Sequence, residues 1–346
     1  MVRVAQTKSG AGWTNAIVLI CDANFLPPAY FICKQLLDQQ QRNFDVVILA
    51  ENMPAASCRP PDDRIIVREF AVDPRLVDFA AAQGRSHVTY GRLSLDQLRR
   101  DYHKVLYLDS DVWIAGSKIS DIFSADMGRY AIAAVRDSGE ILRGTSPAWL
   151  KYKAKLGMAA AAPYLNAGVL LIDLERFAQR GIGEDAKRYV LDGKYLGGLD
   201  DQSALNAVLR GDWLELSPRW NWTFPTRDAL TRELSPHIIH FVGSSKPWND
   251  VRGRYPSRYR LEMGQYLQSI EHSGFVKPAA FWPQRRRQLA NALRGFAAGL
   301  IEDPRTIAIR QFAKSTGFSE AAAEADGAVA GLAEAASRRQ GRAAAR

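Results

Sequence analysis

Short apolar runs alternate along this chain with stretches in which apolar residues recur every three or four positions. Residues 16–21 (Ala-Ile-Val-Leu-Ile-Cys), 44–50, 64–70, 104–108 and 130–135 are too short for typical helices and rich in β-branched side chains, so they are predicted to be strands. Pro27-Pro28 then opens a helical spacing through Phe31, Ile32, Leu36 and Leu37, and residues 75–82 and 92–99 carry two further helix patterns. Strands separated by helices predict an α/β sheet covered by helices. In open sheets of this kind ligands collect beyond the carboxyl ends of the strands, which makes Asp22 and Asp109, each directly after a strand, the first positions to inspect.

Composition narrows the class. The 346 residues are 47% hydrophobic and 24% charged, close to the globular average, which excludes wholesale disorder and collagen-like repetition. No apolar run reaches the roughly 18 residues of a bilayer span, and the opening Met-Val-Arg-Val-Ala-Gln-Thr-Lys lacks a signal-like apolar block, so a cytoplasmic protein is expected. Cys21, Cys33 and Cys58 are odd in number and form no Cys-x-x-Cys pair, which points to buried thiols.

Of the net charge of +9, residues 277–346 carry +6, so the excess is mostly a property of the tail. Residues 1–275 are therefore read as the principal domain and 276–346 as a basic, partly helical C-terminal extension. Arg285-Arg286-Arg287 precede Leu289, Leu293, Phe296, Leu300 and Ile301 at helical spacing, whereas the Ala-rich stretch beyond Ser319 has a composition compatible with disorder. Two readings stand for residues 285–314. One is attachment to an anionic membrane surface, at about 1 kcal/mol per basic charge, which would make the protein peripheral on the inner face of the cell membrane. The other is docking on the body with a solvated basic face. Neither interleaved aromatics nor a known module supports a nucleic-acid partner.

Two motifs carry chemistry. In Lys104-Val-Leu-Tyr-Leu-Asp109-Ser110-Asp111 an apolar strand delivers two carboxylates where a hard divalent cation would want oxygen ligands, although such a triplet alone is more often a turn. His237-Ile-Ile-His240-Phe-Val-Gly243-Ser-Ser-Lys246-Pro247-Trp248 adds an imidazole on a short apolar strand, a glycine that permits close backbone approach, and an ammonium. Together they suit a metal-diphosphate site; separately, the second reads as a core histidine followed by a surface turn. By themselves Asn166 and Asp137 read as ordinary turn and cap residues. Trp220, Trp222, Phe224 and Trp248 are expected to pack, and His87, His103 and His272 to be structural or exposed.

The ordered set Asp109-Ser110-Asp111, Tyr164-Leu-Asn166-Ala-Gly168, Leu199-Asp200-Asp201-Gln202 and His240-Phe-Val-Gly243-Ser-Ser-Lys246-Pro247-Trp248 resembles glycosyltransferase family 8, over about residues 16–248. The resemblance implies a GT-A fold with a mixed central sheet, a UDP-hexose donor (galactose or glucose), Mn2+ or Mg2+, a saccharide acceptor such as lipopolysaccharide, and retention of configuration. It implies Asp109, Asp111 and His240 as metal ligands, Ser110 contributing its backbone, and Gly243 and Lys246 beside the diphosphate. Asp22 and Asn24, in Cys21-Asp22-Ala-Asn24-Phe25, match the uracil side, and Arg92, in Tyr90-Gly-Arg92-Leu, the donor's vicinity. Asp137 and Asn166 fall to the hexose, and Asp201 and Gln202 to its catalytic face, where Asp201 is either a nucleophile or a sugar contact; same-face attack is preferred.

The chemistry agrees, because a divalent ion stabilises a departing diphosphate without a proton donor. Two alternatives come from other classes. A binding or scaffold protein has little need of all four of Asp109, Asp111, His240 and Lys246. A metal-dependent sugar nucleotidyltransferase should show a glycine-rich basic loop near the N-terminus, and residues 22–28 are neither glycine-rich nor basic.

Overall fold

The apolar runs become strands of one central sheet in a computed structural model, which describes residues 12–54, 58–84, 86–144, 146–193, 200–250, 252–270 and 304–315. The strands are β1 (Asn15–Cys21), β2 (Asp45–Glu51), β3 (Ile65–Phe70), β4 (Lys104–Leu108), β5 (Val112–Ile114), β6 (Ile132–Arg136), β7 (Leu165–Asp173), β8 (Leu214–Glu215) and β9 (Ile238–His240). Seven of them form a sheet in the order β3-β2-β1-β4-β7-β6-β8, while β5 and β9 pair separately. Only β7 runs against its neighbours in the large sheet; the other pairings are parallel. The sheet is thus mixed but mostly parallel, as expected.

Burial on both faces explains why the strands read as continuous apolar runs. Ile17, Leu19, Ile48 and Leu106 join one apolar cluster, whereas Val18, Ile20, Val47 and Val105 join the other. Successive residues thus serve opposite faces of the sheet.

Helix α1 (Leu26–Leu37) carries its two prolines in the first turn, where the missing N–H groups cost nothing. Helix α2 (Pro74–Ala82) is capped by Asp73, whose Oδ1 accepts from Arg75 N at 3.0 Å. The helix expected over 92–99 is instead a run of 3-10 turns, Val88–Arg100, broken at Ser94 (φ −119°, ψ 17°). Residues 90–95 are all buried, and a regular α-helix would have turned some of them to solvent. The tighter turns carry Arg92 into the interior.

The remaining helices are α3 (Ser138–Arg143), α4 (Pro147–Lys155), α5 (Leu174–Gln179), α6 (Ile182–Leu191), α7 (Asp200–Leu209), α8 (Asp228–Leu234), α9 (Ser257–Ser269) and α10 (Pro304–Ala313). In α10, Thr306, Ile309 and Phe312 are buried, and the Phe312 ring stacks over Trp222 with centroids 6.5 Å apart. Residues 304–313 therefore follow the docking reading of the tail. The expected basic helix over 285–301, the Ala-rich end and His272 lie outside the described residues. No helix among the described residues is long and apolar enough to cross a membrane. All three cysteines are free and buried, and Trp220, Trp222, Phe224 and Trp248 are core residues.

Candidate active site

The chain leaves the main sheet at Leu108, and Asp109 N–H donates to Gly168 O on β7 at 2.8 Å. Three residues later β5 begins, antiparallel to β9, with Val112 opposite His240. That pairing carries His240 to Asp111, and Phe241 N–H fixes the register by donating to Asp111 O at 3.0 Å. Ligand atoms of Asp109, Asp111 and His240 lie within 4.8 Å of one another. His240 Nε2 stands 3.2 Å from Asp111 Oδ1 and 3.8 Å from Asp109 Oδ2.

This donor set fits a divalent ion. Asp111 Oδ1 and Ser110 Oγ are buried without a hydrogen-bond partner, a costly state that an ion at Asp111 relieves. Two carboxylates and an imidazole offer oxygen and nitrogen donors to a divalent cation. Lys246 ion-pairs with Asp111 Oδ2 and donates to Phe241 O at 2.8 Å. Burial pushes the Asp111 carboxyl up, but His240 and then Lys246 outweigh it and leave it below the usual carboxylate range. Gly243, at φ +89°, makes the left-handed turn between β9 and Lys246.

On the other side Arg92 is 4% exposed and fully engaged. It donates to Asp109 Oδ1 at 2.8 Å and to Ala167 O at 2.5 Å, and its Nε lies 3.0 Å from Asp201 Oδ2. Burial works against its charge, yet Asp109 and Asp201 more than compensate and raise its pKa. Asp201 itself is pushed up by burial, with Arg92 opposing. Tyr107 O–H gives Asp109 Oδ1 a second donor at 2.7 Å.

Gly168 is the floor of the site. A Cβ there would lie 2.7 Å from Asp109 Oδ2 and 2.8 Å from His240 Nδ1, with His240 Cε1 closer still. A turn into a buried strand would not by itself demand this glycine; the close passage of β7 beneath two of the clustered residues does.

Asp137, Asn166 and Gln202 form one buried network next to this floor. Asn166 Nδ2 donates to Asp137 Oδ2 at 2.9 Å and Gln202 Nε2 to the same oxygen at 3.2 Å. Asp137 also caps α3, its Oδ1 accepting from Gly139 N at 2.7 Å. Gln202 Oε1 accepts from Ala167 N at 3.0 Å, which leaves its second Nε2 hydrogen for another partner.

Asp22 and Asn24 sit beyond the carboxyl end of β1, the parallel neighbour of β4, on the same sheet edge as Asp109. Asp22 Oδ1 accepts from Asn24 N at 2.9 Å and from Phe25 N at 3.1 Å. His87 is paired with buried Glu51 at 3.1 Å, in keeping with a structural role.

Besides Tyr107, one contributor escaped the sequence reading. Asn221 is fully buried and joins His240 to Asn166 through hydrogen bonds of 3.1 and 2.8 Å. Its signal was available: an amide between Trp220 and Trp222 in a packed aromatic segment needs buried partners of its own.

The family model for glycosyl transferase family 8 matches residues 16–252, and the chain belongs to that family. Among curated proteins it is 31% identical over 230 residues to general stress protein A of Bacillus subtilis, covering 60% of this chain and 74% of that protein. It is 26% identical over 247 residues to a lipopolysaccharide 1,2-glucosyltransferase of Escherichia coli, covering 66% of this chain and 71% of that one. Among solved structures, the galactosyltransferase LgtC in complex with donor and acceptor sugar analogs superposes with a TM-score of 0.56 at 23% identity. That match covers 77% of this chain and 98% of LgtC, and it shows a shared fold.

Proposed function

We propose that this family 8 glycosyltransferase moves a hexose, galactose or glucose, from a UDP-sugar to a saccharide acceptor with retention at the anomeric carbon. The observation that carries the reading is the meeting of Asp109, Asp111 and His240 at the carboxyl edge of the sheet, with Lys246 against the same carboxylate. Those three residues would hold Mn2+ or Mg2+, which supplies charge for the departing diphosphate. Lys246 adds an ammonium beside it, and the Gly243 turn admits backbone near the phosphates. Asp22 and Asn24 are proposed for the uracil end, and Asp137, Asn166, Asp201 and Gln202 for the hexose.

Same-face attack is preferred to a covalent intermediate. Asp201 is tied to Arg92, and a carboxylate held in an ion pair is a poor nucleophile. A lipopolysaccharide or other surface-glycan acceptor is proposed from the relatives' activities. Residues 1–275 are proposed as the transferase domain, with 276–346 as an extension whose basic part between α9 and α10 approaches the inner face of the cell membrane.

The test is incubation with UDP-galactose and UDP-glucose, with and without Mn2+, while free UDP, glycosyl product and pyrophosphate are measured. Metal-stimulated UDP release with product is expected, and Asp111→Ala should abolish it in a folded protein. Pyrophosphate release, or donor binding without turnover, would overturn the proposal in favour of activation or a binding module.

A further inference from the structure

His240 touches the site through one ring nitrogen and a buried amide through the other. Nε2 faces Asp109 and Asp111, whereas Nδ1 is 3.1 Å from Asn221 Oδ1. Which nitrogen carries the hydrogen decides whether a lone pair or an N–H points at the carboxylates.

The surrounding network settles this by elimination, beginning at a backbone group whose polarity is fixed. Gly168 N–H can only donate, and it donates to Asn166 at 3.1 Å, so Asn166 presents its oxygen there. Its Nδ2 must then face the other way, toward Asp137 Oδ2 at 2.9 Å, which as a carboxylate can only accept. The Asn166 oxygen also meets Asn221 at 2.8 Å, so Asn221 presents Nδ2 to it. Asn221 therefore turns its oxygen to His240, and Nδ1 must carry a hydrogen. Asn166, Asn221 and His240 are 5%, 0% and 3% exposed, so water offers none of them an alternative partner.

We infer that Asn221 is a positioning residue that holds a hydrogen on His240 Nδ1 and thereby keeps Nε2 as the nitrogen turned to Asp109 and Asp111. The purpose of this lock rests on the metal reading of the site, but the Nδ1 hydrogen does not. A ligand imidazole held this way is oriented and made more basic by the partner of its other nitrogen. The same amides reach Asp137 and, through it, Gln202, so the proposed hexose contacts and the imidazole share one hydrogen-bond framework.

Two measurements test the lock. In metal-free wild-type protein labelled with 15N-histidine, a long-range 1H–15N spectrum should show His240 protonated at Nδ1. The signal is assigned by its loss in His240→Gln. A His240 Nδ1 without hydrogen overturns the inference.

The second measurement is Mn2+ affinity by calorimetry without donor. Asn221→Leu, which cannot accept from Nδ1–H, should bind Mn2+ about 10-fold or more weakly. Asn221→Asp keeps an acceptor for Nδ1–H and should stay within about threefold of wild type. A purely structural asparagine predicts the opposite order, because the aspartate would bury a carboxylate against the Asn166 oxygen. That order, or unchanged affinity in Asn221→Leu, overturns the inference. Absence of Mn2+ binding in wild type would instead remove the metal reading, while the spectrum still decides whether Nδ1 carries hydrogen.

Discussion

Replacing Gly168 with alanine adds a single methyl group at the point where β7 passes beneath the Asp109–His240 pair. The new carbon would lie 2.7 Å from Asp109 Oδ2, so that oxygen must retreat by about 0.7 Å to regain the 3.4 Å at which ordinary contact begins. The His240 ring, closer still, must retreat further. Neither group is free to do so. Asp109 is held by Arg92 at 2.8 Å and Tyr107 at 2.7 Å, and His240 by Asn221 at 3.1 Å. Overpacking a tight interior typically costs about 1–3 kcal/mol, so the variant should fold with lower stability. The functional loss should be larger, because displacement of reacting groups by about 1 Å can cost on the order of 100-fold in rate. Urea unfolding, Mn2+ calorimetry and UDP release from UDP-hexose should together show a folded protein, at least about tenfold weaker Mn2+ binding and about 100-fold slower turnover. A folded Gly168→Ala protein with wild-type Mn2+ affinity would refute the claim that this glycine is required by the site's geometry.

Arg92→Met removes the buried cation that joins Asp109 to Asp201 and should cost about 3–5 kcal/mol in urea unfolding; a loss below about 1 kcal/mol would show the two carboxylates to be otherwise satisfied. Phe312→Ala should destabilise the body by about 3–5 kcal/mol, since this ring from α10 stacks on Trp222 and is 5% exposed; an unchanged urea midpoint would mean that α10 contributes nothing to the body's stability. Burial, helped by Arg219 and Lys118, lowers the His237 pKa from 6.5 to about 4. The unfolded chain then binds a proton that the folded chain refuses, so the stability present above about pH 6.5 is lost as pH falls toward 4. At pH 5 the loss should be of order 1 kcal/mol after allowance for partial exposure, and His237→Gln should flatten it; an identical pH dependence in the variant would contradict this.

The main sheet was legible because a mostly parallel sheet buries both faces and writes each strand as an uninterrupted apolar run. Residues 44–50 and 64–70 were expected as strands and are found as Asp45–Glu51 and Ile65–Phe70. The short strands were harder. β8 has two residues, too few for any period to show, and β5 follows an acidic turn whose composition suggests a loop. Residues 92–99 misled for a physical reason: their apolar spacing fits a helix, but Arg92 had to be counted as buried, and a lone arginine reads as surface until its partners are known.

Legibility in the site divides along the same line. Asp109, Asp111, His240 and Lys246 stand beside strand ends, where sequence concentrates chemistry into short motifs. Arg92 is reached in the sequence only through the family resemblance, and its partners, like the whole role of Asn221, are visible only in three dimensions, because they come from four separated segments. Their placement changes what the motif means electrostatically. Asp109, Asp111 and Asp201 bring three carboxylates together against the cations of Arg92 and Lys246. With His240 neutral, this inner group carries a net charge of −1, low enough to remain folded without an ion and still attractive to one. A divalent cation would turn the same group to +1, the sign a diphosphate requires. Arg92 and Lys246 are not equivalent in that change. Arg92 is locked by carboxylates on two sides and by the Thr89 and Ala167 carbonyls, whereas Lys246 is held by one carboxylate oxygen, which an arriving cation would contest, and by the Phe241 carbonyl. On the proposed function, Lys246 is the charge that would turn toward phosphate once a cation took its carboxylate, while Arg92 would keep Asp109 and Asp201 in register.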